Sequence, residues 1–501
     1  MSISDARVPI ILWSSPGEQA EQDCACAEGG FTPTIYASRP ERRIETDCAC
    51  PDDGFTLSPL PGFDAHSCWQ QVPELYQESL PDNHLLLFNP FGPASVVVLN
   101  EPARAIIDSF AQPHPLDSDT SRQLAALGLI QPYGTTPMPI CLKPRMLTAW
   151  LHVTNACNLR CTYCYLAKTD EAMDEITGRA AIDAVFRSAI RHGFRAIKLK
   201  YAGGEPTLNF GLVRILHDHA SRLAECENLE LHEVVLSNGV ALSNSILDFI
   251  RDTGIRLMIS IDGLGAVHDA QRVFPNGRGS SHLVVRNVDQ ALARGVKPYL
   301  SITVTKHNAD DIAEIVAFAL ERDLLFNLNF YRENGHAATH ENLAAEDARL
   351  IAGAQAAFKI IEERLPQQSL IATLLDRANF STPHDRPCGA GHNYLVIDQN
   401  GRVARCQMEI KRTVTDITVK DPLGVIRTNQ IGFHNLPVDE KDGCRECVWR
   451  YWCAGGCPLL TYRVTGRNDV KSPYCNVYQA LYPEVLRLEG LRLLKWKVPR
   501  T

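Results

Sequence analysis

Three cysteines fall within eight residues of "TNACNLRCTYCY": Cys157, Cys161 and Cys164, spaced C-x3-C-x2-C. Thiolates this close converge on one centre only when the backbone loops around it. Such a centre suits zinc or iron, not calcium or magnesium. Zinc modules normally bring four ligands in two pairs, whereas three cysteines leave one iron of a cubane cluster free to take a cofactor or substrate. On spacing alone a zinc site stays open for this triplet. A second set comes late in the chain: Cys388, Gly401, Cys406, then Cys444, Cys447, Cys453, Cys457 and Cys475, or C-x12-G-x4-C, gap, C-x2-C-x5-C-x3-C-x17-C. Within it, "CRECVWRYWCAGGC" at 444–457 holds four cysteines and two tryptophans. Two structural zincs also remain open here, one with four thiolates and one with three, completed by His392 or His434.

The elements that must position these thiols are legible as patterns. The first triplet directly follows the apolar run "LTAWLHVT". Beyond it the strands "AIKLKYAG", "HEVVLSN", "IRLMISID", "KPYLSITV" and "LLFNLNFY" alternate with helices predicted near 177–192, 209–225, 243–253, 282–294 and 309–322. Six such units predict an α/β fold with a parallel sheet, helices outside it and right-handed crossovers. Six strands are too few to close an eight-stranded barrel, so a partial (β/α)6 TIM-type barrel is expected over 147–335, with its chemistry on the loops after the strands.

Around this body the chain divides by composition. Residues 1–70 are rich in Pro, Gly, Ser and acids and contain a near-repeat, "DCACAEGGFT" at 23–32 and "DCACPDDGFT" at 47–56; a loose arm is expected. Residues 71–140 read as two strands around a Pro-Gly turn, "HLLLFNPFGPASVVVLN", and two amphipathic helices, "EPARAIIDSFAQ" and "TSRQLAALGLI". A helical linker is expected over 336–384, a cysteine module over 385–478 and a C-terminal helix over 479–501. A formal charge of −8 without a basic tract excludes a nucleic-acid surface. No stretch approaches the roughly 20 apolar residues of a membrane span, and the start lacks a signal-peptide pattern, so a cytoplasmic protein with no membrane or nucleic-acid partner is expected. In that compartment seventeen cysteines point to metal or redox chemistry before disulfides.

With these motifs in place, the chain resembles the radical S-adenosylmethionine (SAM) superfamily. The triplet has Tyr163 before its last cysteine, and the second strand ends in "AGGEP", Gly203, Gly204, Glu205 and Pro206. The third strand ends in "LSNG", with Ser237 and Asn238, and the fourth in "SIDG", with Ser260 and Asp262; "HDAQRVFPNGRGSSH" follows. The resemblance implies a [4Fe-4S] cluster on Cys157, Cys161 and Cys164, with SAM chelated to its open iron and contacted by these strand ends. Glu205, which alone could be a helix-capping acid, is implied to meet the methionyl amino group. Electron transfer to SAM would yield a 5'-deoxyadenosyl radical that removes a hydrogen from substrate, with the protein supplying position and shielding.

The C-terminal spacing resembles the SPASM domain, which holds two further [4Fe-4S] clusters. The resemblance implies an outer cluster on Cys444, Cys447, Cys453 and Cys475 and an inner one on Cys388, Cys406 and Cys457. Sulfatase-maturating members carry a fourth inner ligand where this chain has Tyr394, so an open inner iron able to bind a substrate thiolate is expected. Cys68, Cys141, Cys226 or an arm thiol could instead fill that place. The 71–140 segment resembles winged-helix leader-binding domains of the PqqD type.

Together these imply a maturase acting on a ribosomally made peptide or small protein, forming a Cys thioether, with an electron donor such as flavodoxin or ferredoxin. Carbon–carbon cross-linking, epimerisation or dehydrogenation would use the same framework, and a zinc-holding interaction protein is the alternative of another class. For Cys24, Cys26, Cys48 and Cys50 in the arm, an extra metal site, an unstructured tract and an imitation of the substrate all stay open. Each repeat sets an acid, Glu28 or Asp52, four residues after its first cysteine.

Overall fold

The computed structural model describes residues 9–14, 67–92, 95–135, 144–333, 342–377, 379–381 and 383–496. Cys24, Cys26, Cys48, Cys50 and Cys141, and with them the expectations for the DCAC repeats, lie outside these residues.

Six parallel strands lie side by side in chain order: Met146–Thr154, Ala196–Gly203, Glu230–Ser237, Arg256–Ser260, Tyr299–Val304 and Phe326–Phe330. Strand residues alternate between faces. On the first strand Leu147, Ala149, Leu151 and Val153 join the apolar core beneath the helices, while Trp150 turns to the interior cavity. The intervening helices stop and start where local chemistry requires. Asp174 accepts from Thr177 N–H at the head of Glu175–His192, and Gly193 ends that helix in the left-handed conformation; Ser243 and Gly254 do the same for Asn244–Thr253.

The open side of this partial barrel is not left bare. Tyr394–Ile397 pairs in parallel with the first strand, Tyr394 opposite Thr148, and Arg402–Ala404 and Thr413–Asp416 continue the sheet to nine strands. The cysteine module is therefore hydrogen-bonded into the barrel sheet. The helical linker is shorter than expected: the helix runs Asp347–Arg364, Leu365 turns left-handed (φ 38°) and Pro366 follows, so residues 371–377 proceed as turns and bends.

The N-terminal body contains the expected hairpin, His84–Phe88 with Val97–Leu99, and both expected helices, Glu101–Ser109 and Asp119–Ala126. Tyr76–Leu80 extends the hairpin on one side. On the other, Ile11–Trp13 pairs antiparallel with Val97–Leu99, so part of the segment read as a loose arm is a strand. The run "HLLLF" does not alternate because both faces are buried. Leu85 and Leu87 pack with Ile107 and Leu124 of the helices, while Leu86 and Phe88 face the C-terminal half. There Phe88 meets Trp452 edge-on (4.9 Å) and Trp452 Nε1–H donates to Pro90 O (2.8 Å). The tryptophans of the cysteine-rich stretch thus anchor one domain on another.

The last helix, Cys475–Trp496, completes this interface. Its Glu489 is buried and accepts from Arg492 (2.7 and 2.9 Å), Ser14 Oγ (2.6 Å) and Ser369 Oγ (2.9 Å). Burial alone would raise the Glu489 pKa, but Arg492 and the two hydroxyls outweigh it and hold it below the ordinary carboxylate range. The stabilisation is therefore complete above the unfolded carboxylate pKa and disappears as the pH falls through the depressed folded value. Replacing Glu489 by Ala leaves the buried Arg492 guanidinium without its carboxylate, and a loss of about 3–5 kcal/mol is expected. Denaturant unfolding of both proteins should show it at pH 7, with the gap closing in acid.

Candidate functional site

The cysteine loop after the first strand is held by backbone on two sides. Gly204 N–H donates to Thr154 O (2.7 Å) and Glu205 N–H to Ala156 O (2.8 Å). The approach is too close for side chains: a Cβ on Gly203 would lie 2.3 Å from Thr154 O, and one on Gly204 2.2 Å from Ala156 O. From the other side Arg160 N–H bonds Val273 O (2.7 Å) and Thr162 N–H bonds Gln271 O (2.9 Å), so the "AQRVFP" loop clasps the triplet. Leu159 N–H (3.4 Å) and Asn238 Nδ2 (3.8 Å) point at Cys157 Sγ, and Lys168 Nζ lies 3.1 Å from Cys164 Sγ. Burial raises the Cys157 thiol, and pushes Cys161 up to about 12 against the opposing pull of Arg272. A cation joining the loop would release those protons.

The loop opens onto a cavity of about 310 Å³. Of the expected SAM contacts, Tyr163, Gly203, Gly204, Ser237, Asn238 and Ser260 line it together with the three cysteines. Glu205, Pro206 and Asp262 stand behind its wall. Glu205 is fully buried and accepts from Asn238 N–H (2.7 Å), Ser237 Oγ (2.9 Å) and Thr207 Oγ1 (2.7 Å), capping the turn Pro206–Asn209 and tying the second strand end to the third. Asp262 accepts from Tyr163 OH (2.6 Å) and Thr303 N–H (2.9 Å) and pairs with Arg272 (3.7 Å), which also donates to the Tyr163 hydroxyl. This buried triad fixes the ring of Tyr163 against the cavity.

The other thiols fall into two groups. Cys444, Cys447, Cys453 and Cys475 line one small cavity. Cys406 lies within electrostatic reach of Cys457 and Cys388. The chain divides neighbours between the groups at "CAGGC", where Ala454, Gly455 and Gly456 are all left-handed (φ 50°, 82° and 69°) and reverse the backbone between Cys453 and Cys457. Gly401 (φ 77°) turns the hairpin whose two ends carry Cys388 and Cys406. Tyr394, at the fourth-ligand position, is buried and donates to Gln407 Oε1 (3.1 Å). Cys68 and Cys226 are exposed, the first in a separate small sheet and the second near the far end of its helix.

All twelve cysteines of the described residues are free thiols. Among the described residues no three Cys, His, Asp or Glu side chains gather tightly enough to grip one ion. A single tetrahedral zinc needs sulfurs about 3.8 Å apart, given Zn–S bonds of ~2.3 Å. A cluster of several irons and sulfides sits between its cysteines and keeps them further apart. The donor sets, three, three and four thiols, fit such clusters better than lone ions.

Four cavity cations escaped the sequence reading: Lys168, Arg272, Arg332 and Arg377. Arg272 lay within a quoted motif, but Arg332 and Arg377 follow the sixth strand and the linker helix, where no pattern marks a lining residue. Replacing Gly204 by Ala must displace the cysteine loop, and a loss of SAM affinity of tenfold or more is expected with the fold intact. Gly211→Ala, which meets no atom within 4 Å, should bind like the wild type. Titration calorimetry with SAM, checked by circular dichroism, measures both.

Residues 151–319 match the radical SAM superfamily. GTP 3',8-cyclase of Helicobacter pylori (strain HPAG1) is 27% identical over 262 residues, 51% of this chain and 78% of that protein. The sporulation killing factor maturation protein SkfB of Bacillus subtilis (strain 168) is 26% identical over 171 residues, 34% of this chain and 38% of that protein. The chain spans about half the length of several other curated relatives. The structure of native anSMEcpe with bound AdoMet and Cp18Cys peptide superposes with a TM-score of 0.55 at 17% identity, covering 69% of this chain and 99% of that one, a likeness of fold. The motifs at successive strand ends and the partial barrel that carries them fall within the stretch that matches, so residues 151–319 form a radical SAM domain.

Proposed function

We propose that this enzyme matures a cysteine-containing peptide or protein and carries three [4Fe-4S] clusters. Cys157, Cys161 and Cys164 hold the first, whose open iron takes SAM against Gly203, Gly204, Ser237, Asn238 and Ser260. Glu205, Pro206, Asp262 and Tyr163 set those groups in place. Cys388, Cys406 and Cys457 hold the inner auxiliary cluster, and Cys444, Cys447, Cys453 and Cys475 the outer one. When bound, SAM and the reduced cluster supply removal of a hydrogen atom from a substrate carbon.

One observation carries the reading: a cavity bordered by one three-thiol set reaches residues adjoining another. Cys157 follows the top of the first strand at Thr154, whereas Cys388 and Cys406 flank the foot of the neighbouring hairpin, level with Thr148. Six residues of strand separate these levels by about 20 Å. The cavity bridges them, lined by the first triplet at one end and by Gln407 and Met408, next to Cys406, at the other. A substrate lying there has a radical-generating centre on one side and a thiolate-binding iron on the other. This favours bonding of a substrate thiol to the activated carbon, giving a thioether, with the auxiliary clusters taking the spare electron. SkfB's name as a maturation protein supports a peptide substrate. Tyr76–Leu80, an edge strand of the N-terminal sheet among the described residues, would give a leader segment backbone partners, and a flavodoxin- or ferredoxin-type donor in the cytoplasm would supply electrons.

Anaerobically prepared protein should be brown, with about twelve irons and equivalent sulfide per chain if three cubanes form. Cys447→Ala and Cys406→Ala should each retain the other two clusters; colourless protein containing zinc and no sulfide would sink the assignment. A short cysteine peptide should alter the electron paramagnetic resonance spectrum of the inner cluster, and its Cys-to-Ser version should not. Identical spectra with and without the thiol would remove the thioether reading while leaving the radical SAM activity intact.

A further inference from the structure

The four cavity cations divide by end. Lys168 lies against Cys164 and Arg272 is tied to Tyr163 and Asp262, so both serve the end that holds the first triplet. Arg332 and Arg377 belong to the other end, Arg332 within electrostatic reach of Cys457 and Arg377 of Cys406. Among the described residues no carboxylate lines any part of this cavity.

The two arginines are under-neutralised where they stand. The Arg332 side chain, 10% exposed, pairs with Asp376 (2.5 Å) and is repelled by Arg377. Asp376 is itself buried, and its second oxygen accepts from the Tyr478 hydroxyl (3.2 Å). Two buried guanidiniums thus sit beside one carboxylate whose oxygens are both in use, and like charges held out of water repel strongly until an anion joins them. Arg332 Nε, buried in the cavity wall, has no hydrogen-bond partner. Asn327 of the sixth strand, 3% exposed and on the same wall, leaves its Oδ1 without one. A donor and an acceptor are therefore both unmet at this end. Arg377 is left-handed (φ 56°), a backbone state that a non-glycine residue keeps only when its surroundings hold it.

Counter-charge for the thiols does not explain why these arginines line the cavity. Lys441 already supplies it from behind the wall: it is buried within electrostatic reach of Cys444, Cys453 and Cys388, and its ammonium donates to Ala454 O (2.7 Å). Arg332 and Arg377 instead border the space that a substrate enters.

We propose that Arg332 and Arg377 seat a carboxylate of the peptide substrate, with Asn327 Oδ1 accepting a neighbouring peptide N–H. This rests on the peptide-modifying reading above and narrows it to peptides that carry an acidic side chain, or their own C-terminus, close to the reacting cysteine. The planar guanidinium fork matches a carboxylate. An amide of the same shape brings no charge and leaves the arginine pair uncompensated.

The probe is a pool of synthetic nonapeptides with a central cysteine and randomised flanks, prepared once with amidated and once with free C-termini. Full-length, cluster-loaded protein with SAM is equilibrated with each pool anaerobically and without reductant, and the bound peptides are read by mass spectrometry. Asp and Glu should be enriched about tenfold over Asn and Gln at a fixed distance from the cysteine, and Arg332→Gln and Arg377→Gln should each abolish the preference. Enrichment in the amidated pool assigns the carboxylate to a side chain; preference for the free-ended pool assigns it to the C-terminus. Arg332→Gln strips Asp376 of its partner, so Arg377→Gln, checked by circular dichroism and by unchanged SAM affinity, decides the matter if the first variant does not fold. Bound peptides rich in cysteine but indifferent to acids overturn the proposal and leave the peptide-modifying reading standing. A bound fraction with no sequence preference removes both. Acid enrichment that survives the two substitutions, with only the inner cluster's reduction potential shifted, assigns the arginines to the cluster and overturns the proposal.

Discussion

Six parallel strands cannot close on themselves, and the way this chain covers the resulting gap governs the rest of its structure. Pairing the first strand with Tyr394–Ile397 satisfies an edge that would otherwise expose unpaired N–H and C=O groups. The same ladder fixes the height of Cys388 and Cys406 relative to the Cys157 loop. Backbone hydrogen bonds therefore set the separation between two groups of thiols, a quantity that side-chain packing alone would hold less firmly.

A second economy lies in how carboxylates are used. Glu205 and Asp262 are both buried at strand ends, and both spend their oxygens on neighbouring backbone and side-chain donors. Burial raises their ionisation range while those donors oppose the rise. Their effect on the cavity is exerted through Ser237, Asn238 and Tyr163, which they orient. The cavity surface is left to glycine backbone, hydroxyls, amides and cations beside the three thiols and a set of apolar side chains.

Much of this was legible because it is local. Strand and helix periodicity placed the six barrel units to within a few residues, and the division of the late thiols into two sets came from the family resemblance; in the structure Cys444, Cys447, Cys453 and Cys475 share one cavity. What escaped depended on contacts distant in sequence. Nothing in "YLVI" marks it as a partner of "MLTAWLHVT", some 240 residues earlier. Ile11–Trp13 is too short to stand out from its Pro- and Gly-rich surroundings. Trp449 and Trp452 read as part of a metal motif, yet they pack against Tyr76 and Phe88 of the N-terminal sheet. Glu205 shows the same limit: a motif identifies a residue, but only neighbours reveal where its oxygens are spent.

The contact between Ser14 and Glu489 joins residues 475 positions apart. During synthesis the N-terminal sheet emerges several hundred residues before the helix that covers Leu80, Leu86 and Val98. One apolar face of that sheet must wait for this distant segment, which slows its docking and exposes the intermediate to aggregation. Because Cys475 begins that same helix, the four-thiol group is assembled only once the helix has docked, which couples its completion to closure of the sheet's apolar face.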